Sequence, residues 1–131
     1  MTTYLLDTTV FIHFEKRVPA VLEFLDNLQP ADRVGTTPVN VGEVLAGCHP
    51  SDVARWEAFF AETDVWPLAA GAGVWAGKRI GELRRRGVQM KLPDALVAAV
   101  AESRQAVVAT ANARDFVALG VPAYQLDRER G

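Results

Sequence analysis

The sequence contains one cysteine, Cys48, and two histidines, His13 and His49. A single thiol cannot close an internal disulfide, and no Cys/His spacing of the zinc-binding kind is present. Cys48 and His49 are adjacent, whereas a catalytic Cys/His pair meets across a fold, so the pair does not indicate a thiol nucleophile. Long apolar runs are also missing. The strongest, Ala95 to Ala101, falls well short of the ~20 residues that span a bilayer. Asp7 interrupts the apolar run that begins at Tyr4, where a signal peptide would continue. The expectation is a cytoplasmic protein with no membrane association. Neither sign of charge dominates: 14 Lys and Arg against 16 Asp and Glu give a formal net charge of −2. That balance argues against binding nucleic acid through an overall field and directs attention to local patches. There is no internal repeat, linker or low-complexity segment, and 131 residues suit one core, so a single domain over 1–131 is expected.

What is present is a series of short apolar runs alternating with helical periodicity. Tyr4, Leu5 and Leu6 end at Asp7 and read as a buried strand. Arg33 to Thr36, Ala106 to Ala109 and Tyr124 to Leu126 read as further strands, and Val65 to Leu68 as a short one interrupted by Pro67. Thr8 and Thr9 can cap a helix starting at Val10. Pro19 breaks it, and Ala20 to Leu28 resume with an apolar face. Thr37 followed by Pro38 opens another helix, because threonine caps free amides and proline at the first helical position loses no hydrogen bond. Its Val41, Val44, Leu45 and Cys48 form one buried stripe, with Glu43 on the opposite side. Helices are also expected from Ser51 or Asp52 to Phe60, from about Ala72 to Arg86 with a stop at Gly87, and from Asp94 to Ser103. This alternation favours an α/β fold with a short central parallel sheet flanked by helices on both faces, α/β/α. Ligands of such sheets usually lie beyond the carboxyl ends of the strands.

Two of the clearest strands end in polar residues: one in Asp7, the other in Thr110, Asn112 and Asp115. Asp94 falls in the first turn of a helix, where free amides and the dipole favour a carboxylate; a plain helix-terminal acid is the alternative. Glu43 has Gly42, Ala46 and Gly47 as helical neighbours, which leave room for a ligand or serve close helix packing. Carboxylates gathered without a counter-ion repel one another. Hard oxygen ligands of this type suit Mg2+ or Mn2+, and such an ion activates water and clamps a phosphodiester oxygen.

The ordered set Asp7-Thr8-Thr9-Val10, the isolated Glu43, Leu92-Pro93-Asp94-Ala95-Leu96-Val97-Ala98-Ala99 and Ala109-Thr110-Ala111-Asn112-Ala113-Arg114-Asp115-Phe116 resembles the PIN-domain family. The compact length and the last two motifs look most like VapC toxins of type II toxin–antitoxin systems. The resemblance runs from Tyr4 to about Leu126. It implies a PIN-like domain and a Mg2+-dependent endoribonuclease, with Mn2+ as a substitute ion, whose products carry a 5′-phosphate and a 3′-hydroxyl. On this resemblance Asp7, Glu43 and Asp94 are catalytic metal-site acids and Asp115 is a further acidic position, with a plain cap for the short Ala113 to Leu119 segment as the alternative for Asp115. Thr8, Thr9, Thr110 and Asn112 support them by hydrogen bonds. One departure is Asn112, which stands where some PIN domains carry an aspartate and so weakens a second metal position. The implied partners are a VapB-like antitoxin, an RNA substrate and a second copy in a homodimer.

Between Lys78 and Lys91 lie Lys78, Arg79, Arg84, Arg85, Arg86 and Lys91 against Glu82 alone, a local charge of +5. The rest of the chain, with eight basic and fifteen acidic residues, carries −7. Such a stripe on an acidic domain is the footprint expected for phosphate contact. A solvated helix end, with Glu82 paired to Lys78 and Arg86, is the alternative. Trp56, Phe59 and Phe60 read as a packing face and a candidate groove or dimer surface for an antitoxin; stacking of bases on Trp56, Trp66 and Trp75 is a weaker reading. Two other functions stand beside the nuclease. A catalytically silent RNA-binding or regulatory module of the same fold would have lost acidic residues, and the three core acids are present. A phosphoaspartate enzyme or receiver domain needs a second aspartate at Thr9 or an acidic pair near the start, and neither is there.

Overall fold

In the computed structural model, which describes residues 1–126, four parallel strands form the centre of the molecule. They are β1 (Thr3–Leu6), β2 (Arg33–Gly35), β3 (Val107–Thr110) and β4 (Ala123–Gln125), in the order β2-β1-β3-β4. Residues 127–131, included in the expected single domain, lie outside the described residues.

Successive strand residues face opposite ways, and two cores follow from that alternation. Leu5 and Val108 point into a cluster with Ala76, Leu83, Ala98 and Phe116, contributed by α5 (Ala72–Arg85), α6 (Leu92–Arg104) and α7 (Ala113–Ala118). Leu6 and Ala109 point the other way, toward Val10, Phe11, Val21, Phe24, Val44, Trp56 and Phe60. Those side chains come from α1 (Thr8–Glu15), α2 (Pro19–Asp26), α3 (Pro38–Gly47) and α4 (Val53–Ala61). The α/β/α layering expected from the alternation of strands and helices is therefore the one observed.

Three elements depart from the sequence reading: α1 begins at Thr8, so Asp7 and not Thr8 or Thr9 holds its N-cap position. Val65 to Leu68 do not form a strand: the segment makes only a bridge between Val65 and Thr36, closed by Trp66 N–H on the Thr36 carbonyl at 2.8 Å. Pro67 has no N–H to extend a ladder, which accounts for its brevity. Helix α6 begins at Leu92, two residues before Asp94, because Pro93 occupies an early helical position where its missing N–H costs nothing.

All four strands run the same way, so their carboxyl ends share one edge of the sheet. Asp7 follows β1, Thr36 and Thr37 follow β2, and Thr110 closes β3. Thr36 ties the first two ends together by donating its hydroxyl to the Leu6 carbonyl at 2.8 Å, with both groups buried.

Candidate active site

Asp7 is the N-cap residue of α1 and is buried, with 5% of its surface exposed. Its backbone N–H is held by the Ala109 carbonyl at 3.0 Å, which fixes it against the neighbouring strand. The carboxylate is surrounded by donors. Oδ2 accepts the Thr110 hydroxyl at 2.8 Å and the Thr9 hydroxyl at 3.4 Å, and Oδ1 accepts Asn40 Nδ2 at 3.3 Å. Burial nevertheless pushes its pKa up, against the lowering effect of the Thr110 bond, and the nearby negative charge of Glu43 adds to the rise.

Glu43 projects from the exposed face of α3, as its position opposite the apolar stripe implies. Its Oε1 accepts the Thr8 hydroxyl at 2.6 Å. No side chain crowds Gly42 or Gly47, so the helix surface around Glu43 is open. One residue at this site escaped the sequence reading: Asn40, fully buried on α3, whose Nδ2 reaches both Asp7 and, at 3.0 Å, Thr8 Oγ1. Two signals mark it. It stands three residues after the Thr37 cap, the reciprocal position of a capping box, and four before Val44 on the buried stripe. A polar side chain on an apolar stripe needs a partner.

Asp94, in the first turn of α6, completes the convergence. Its pKa is pushed up to about 6, first by partial burial and then by the charges of Asp7, Glu43 and Asp115; Lys91 alone opposes the rise. The four acids thus share one electrostatic neighbourhood. Asp115, half-buried in the first turn of α7, is presented by a turn that is itself secured. Asn112 donates its backbone N–H to Thr110 Oγ1 at 2.9 Å, and Ala111 donates to Thr9 Oγ1 at 3.0 Å. Gln125, also missed in the sequence, accepts from Ala113 N–H at 3.0 Å and donates to the Ala111 carbonyl at 2.8 Å.

The donor set matches a hard divalent cation: carboxylate oxygens only, with mutual repulsion that a cation would relieve. Among the described residues no group of three or more His, Cys, Asp or Glu side chains is set to hold a metal ion as the side chains stand.

A family model for the PIN domain matches residues 4–121. The chain belongs to the PIN domain family. It is 29% identical to the tRNA(fMet)-specific endonuclease VapC of Shigella flexneri over 125 residues, 92% of this chain and 94% of that protein. Among solved structures it is similar to VapBC-1 of nontypeable Haemophilus influenzae, with a TM-score of 0.80, 22% identity, and coverage of 95% of this chain and 98% of the other. It is also similar to VapBC-5 of Mycobacterium tuberculosis, a member of the VapBC family of toxin–antitoxin systems, at a TM-score of 0.66, 26% identity, and coverage of 98% and 100%.

In this PIN domain the basic residues divide into two groups. Arg79 is committed to structure: it donates to the Leu119 carbonyl at 2.9 Å, capping α7, and its guanidinium lies 4.6 Å from the centre of the Trp75 ring. This tie sets Arg79 apart from the solvent-facing cations of the stripe. Lys78, Arg84, Arg85 and Arg86 are exposed and, among the described residues, take part in no ion pair, so the pairing with Glu82 is not formed. The end of α5 does not use these arginine side chains as caps: backbone N–H groups of Arg86, Gly87 and Val88 reach the Leu83 and Arg84 carbonyls. Lys91 stands at the N-cap position of α6 without a side-chain cap bond, and its charge lowers the pKa of Asp94.

The aromatic residues are mostly core. Trp56 and Phe60 are buried and stack with ring centres 5.6 Å apart, and Trp66 is buried, which removes these rings from base stacking. Of the Trp56, Phe59 and Phe60 face, only Phe59 is exposed. Trp56 lines a groove of about 330 Å³ with Ile12 and Val44, and Glu43, Glu15, Lys16 and Asp52 add charged groups to its lining.

Proposed function

We propose that this PIN domain is a metal-dependent endoribonuclease and the toxin half of a VapBC-like toxin–antitoxin pair. The observation that carries the reading is the convergence of Asp7, Glu43, Asp94 and Asp115 at the carboxyl edge of the sheet. The likeness to an endonuclease VapC over nearly the whole chain supports it.

Asp7, Glu43 and Asp94 would hold Mg2+, with Mn2+ as a substitute, and Asp115 would help orient the attacking water. Bound there, the ion supplies a water of lowered pKa and charge to balance a phosphodiester oxygen. Asp7, fixed by three donors, contributes an oxygen that cannot swing away. Glu43 keeps Oε2 uncommitted while Thr8 holds Oε1. Thr110 and Thr9 hold Asp7 Oδ2, and Thr110 also secures the turn at Asn112. Lys91 beside Asp94, with Lys78 and Arg84 to Arg86 on the adjoining helix end, offers cations to the RNA phosphates on either side of the cut.

A small antitoxin would lie in the groove that Glu43 lines, where it would cover that acid and obstruct RNA. A homodimer belongs to the same reading and is checked by sedimentation of the purified chain. The function is tested by incubating the protein with total RNA in magnesium or in chelator and sequencing the cut ends. Discrete magnesium-dependent cuts bearing 5′-phosphates are expected. Binding of RNA with no cutting in either condition would instead identify a silent RNA-binding module.

A further inference from the structure

We infer that Asn40 is a positioning residue that aligns the acids from two different elements, Asp7 after β1 and Glu43 on α3, through the Thr8 hydroxyl. The inference rests on the proposed metal-dependent reading for its purpose, but its geometry is independent of any ion.

The direction of each hydrogen bond is fixed by a count of protons. Thr37 Oγ1 lies 3.4 Å from Asn40 N–H and accepts from it, so its own proton goes to Asn40 Oδ1 at 2.7 Å. That sets the amide orientation: the opposite one would place a carbonyl oxygen against the Asp7 carboxylate. Asn40 Nδ2 then has two protons and two acceptors, Asp7 Oδ1 at 3.3 Å and Thr8 Oγ1 at 3.0 Å. Because Nδ2 can only donate, Thr8 must accept there, and its single proton is left for Glu43 Oε1 at 2.6 Å. A one-way chain results, from Thr37 through Asn40 and Thr8 to Glu43, with a branch to Asp7.

Full burial makes the arrangement stiff. An unpaired amide at this depth is costly, so Asn40 cannot release either acceptor cheaply. Asp94 and Asp115 have no comparable tie to a buried side chain among the described residues. The Asp7–Glu43 half of the site is thus held in place by side chains that reach across from the end of β1 to α3. Residues that orient metal ligands in this way typically govern affinity by ten- to a hundredfold.

Two measurements test the relay, one of them in metal-free protein. The side-chain amide protons of Asn40 should give two distinct NMR signals, and Thr8→Val should shift the one directed at Thr8 much more than the other. If neither signal moves, the relay is overturned. With Mn2+ titrated by EPR, Asn40→Ala and Thr8→Val should each weaken binding about tenfold, and the double variant no more than the stronger single one. Losses that multiply in the double variant, or wild-type Mn2+ affinity in a folded Asn40→Ala, would overturn it. Should Asn40→Ala not fold, Thr8→Val, altered at a half-buried position, carries the test alone, and wild-type affinity there counts against the relay. Wild-type protein that passes the NMR test yet binds no Mn2+ would sink the metal reading and leave the relay standing.

Discussion

At the scale of residues, the four acids were legible because each sits at a position whose geometry is dictated locally: the end of an apolar strand, the first turn of a helix, the polar side of an amphipathic one. Asn40 was not, although it touches two of the site's side chains, because its importance arises only when α3 is laid against β1. Gln125 was missed for the same reason, since it acts on Ala111 and Ala113 from a different strand. The raised pKa of Asp94, about 6 against an ordinary 3.8, has a consequence with a definite sign. Without metal, the folded state binds this proton more tightly than the unfolded chain. The group's contribution to stability is therefore full below about 3.8 and lost as pH rises through about 6. Metal binding runs the other way, because the proton competes with the ion for the same oxygens. Thermal melts across pH 4 to 8 should show Mn2+ stabilisation fading below about pH 6, and Asp94→Asn should flatten the metal-free profile. A metal-induced shift that is constant across this range would contradict a shared site.

Among the elements, periodicity and capping signals placed α3, α5 and β1 well, and failed where tertiary contact decides. Val65 to Leu68 has the composition of a strand but stands beside β2 for a single bridge before Pro67 ends it. Arg79 illustrates the same limit: its neighbours in sequence are solvent-facing cations, whereas packing of α5 near α7 brings it to the Leu119 carbonyl. Gly120, next in the chain with φ +94, leaves the space that the guanidinium fills, and an added Cβ would overlap it. Gly120→Ala should accordingly cost about 1–2 kcal/mol from backbone strain alone, measured by urea unfolding. Arg79→Ala should cost about 1–2 kcal/mol through loss of a charged hydrogen bond that is partly screened by solvent, and should leave the salt dependence of RNA binding unchanged. The contrast lies one turn further on. Replacing Arg84, Arg85 and Arg86 together by glutamine should lower the log-log salt slope of RNA binding by about 2 units, at roughly 0.7 for each phosphate no longer neutralised. An unchanged slope and affinity would return these arginines to a solvated helix end.

For the molecule as a whole, the α/β/α architecture explains why distant motifs form one site. A parallel sheet sends every strand's carboxyl end to the same edge, so Asp7, Thr37 and Thr110 meet there however far apart they are in the chain. The alternation of short strands with helices made that layering readable, while the meeting of acids from different helices depends on packing that no local pattern encodes. A ligand bound only by the folded state stabilises it by mass action, about 2.7 kcal/mol at a hundredfold excess over Kd. Magnesium or manganese should therefore raise the melting temperature, less so in Glu43→Gln. The most direct test of the central claim is RNA cleavage by Asp7→Asn and Asp94→Asn beside the parent chain, with each protein first shown to be folded. Both changes remove charge and almost no volume, so magnesium-dependent cutting should vanish in each while the fold persists. Near-parental cutting by both variants, or cutting by the parent that is indifferent to chelator, would contradict an acidic metal centre at the carboxyl edge of the sheet.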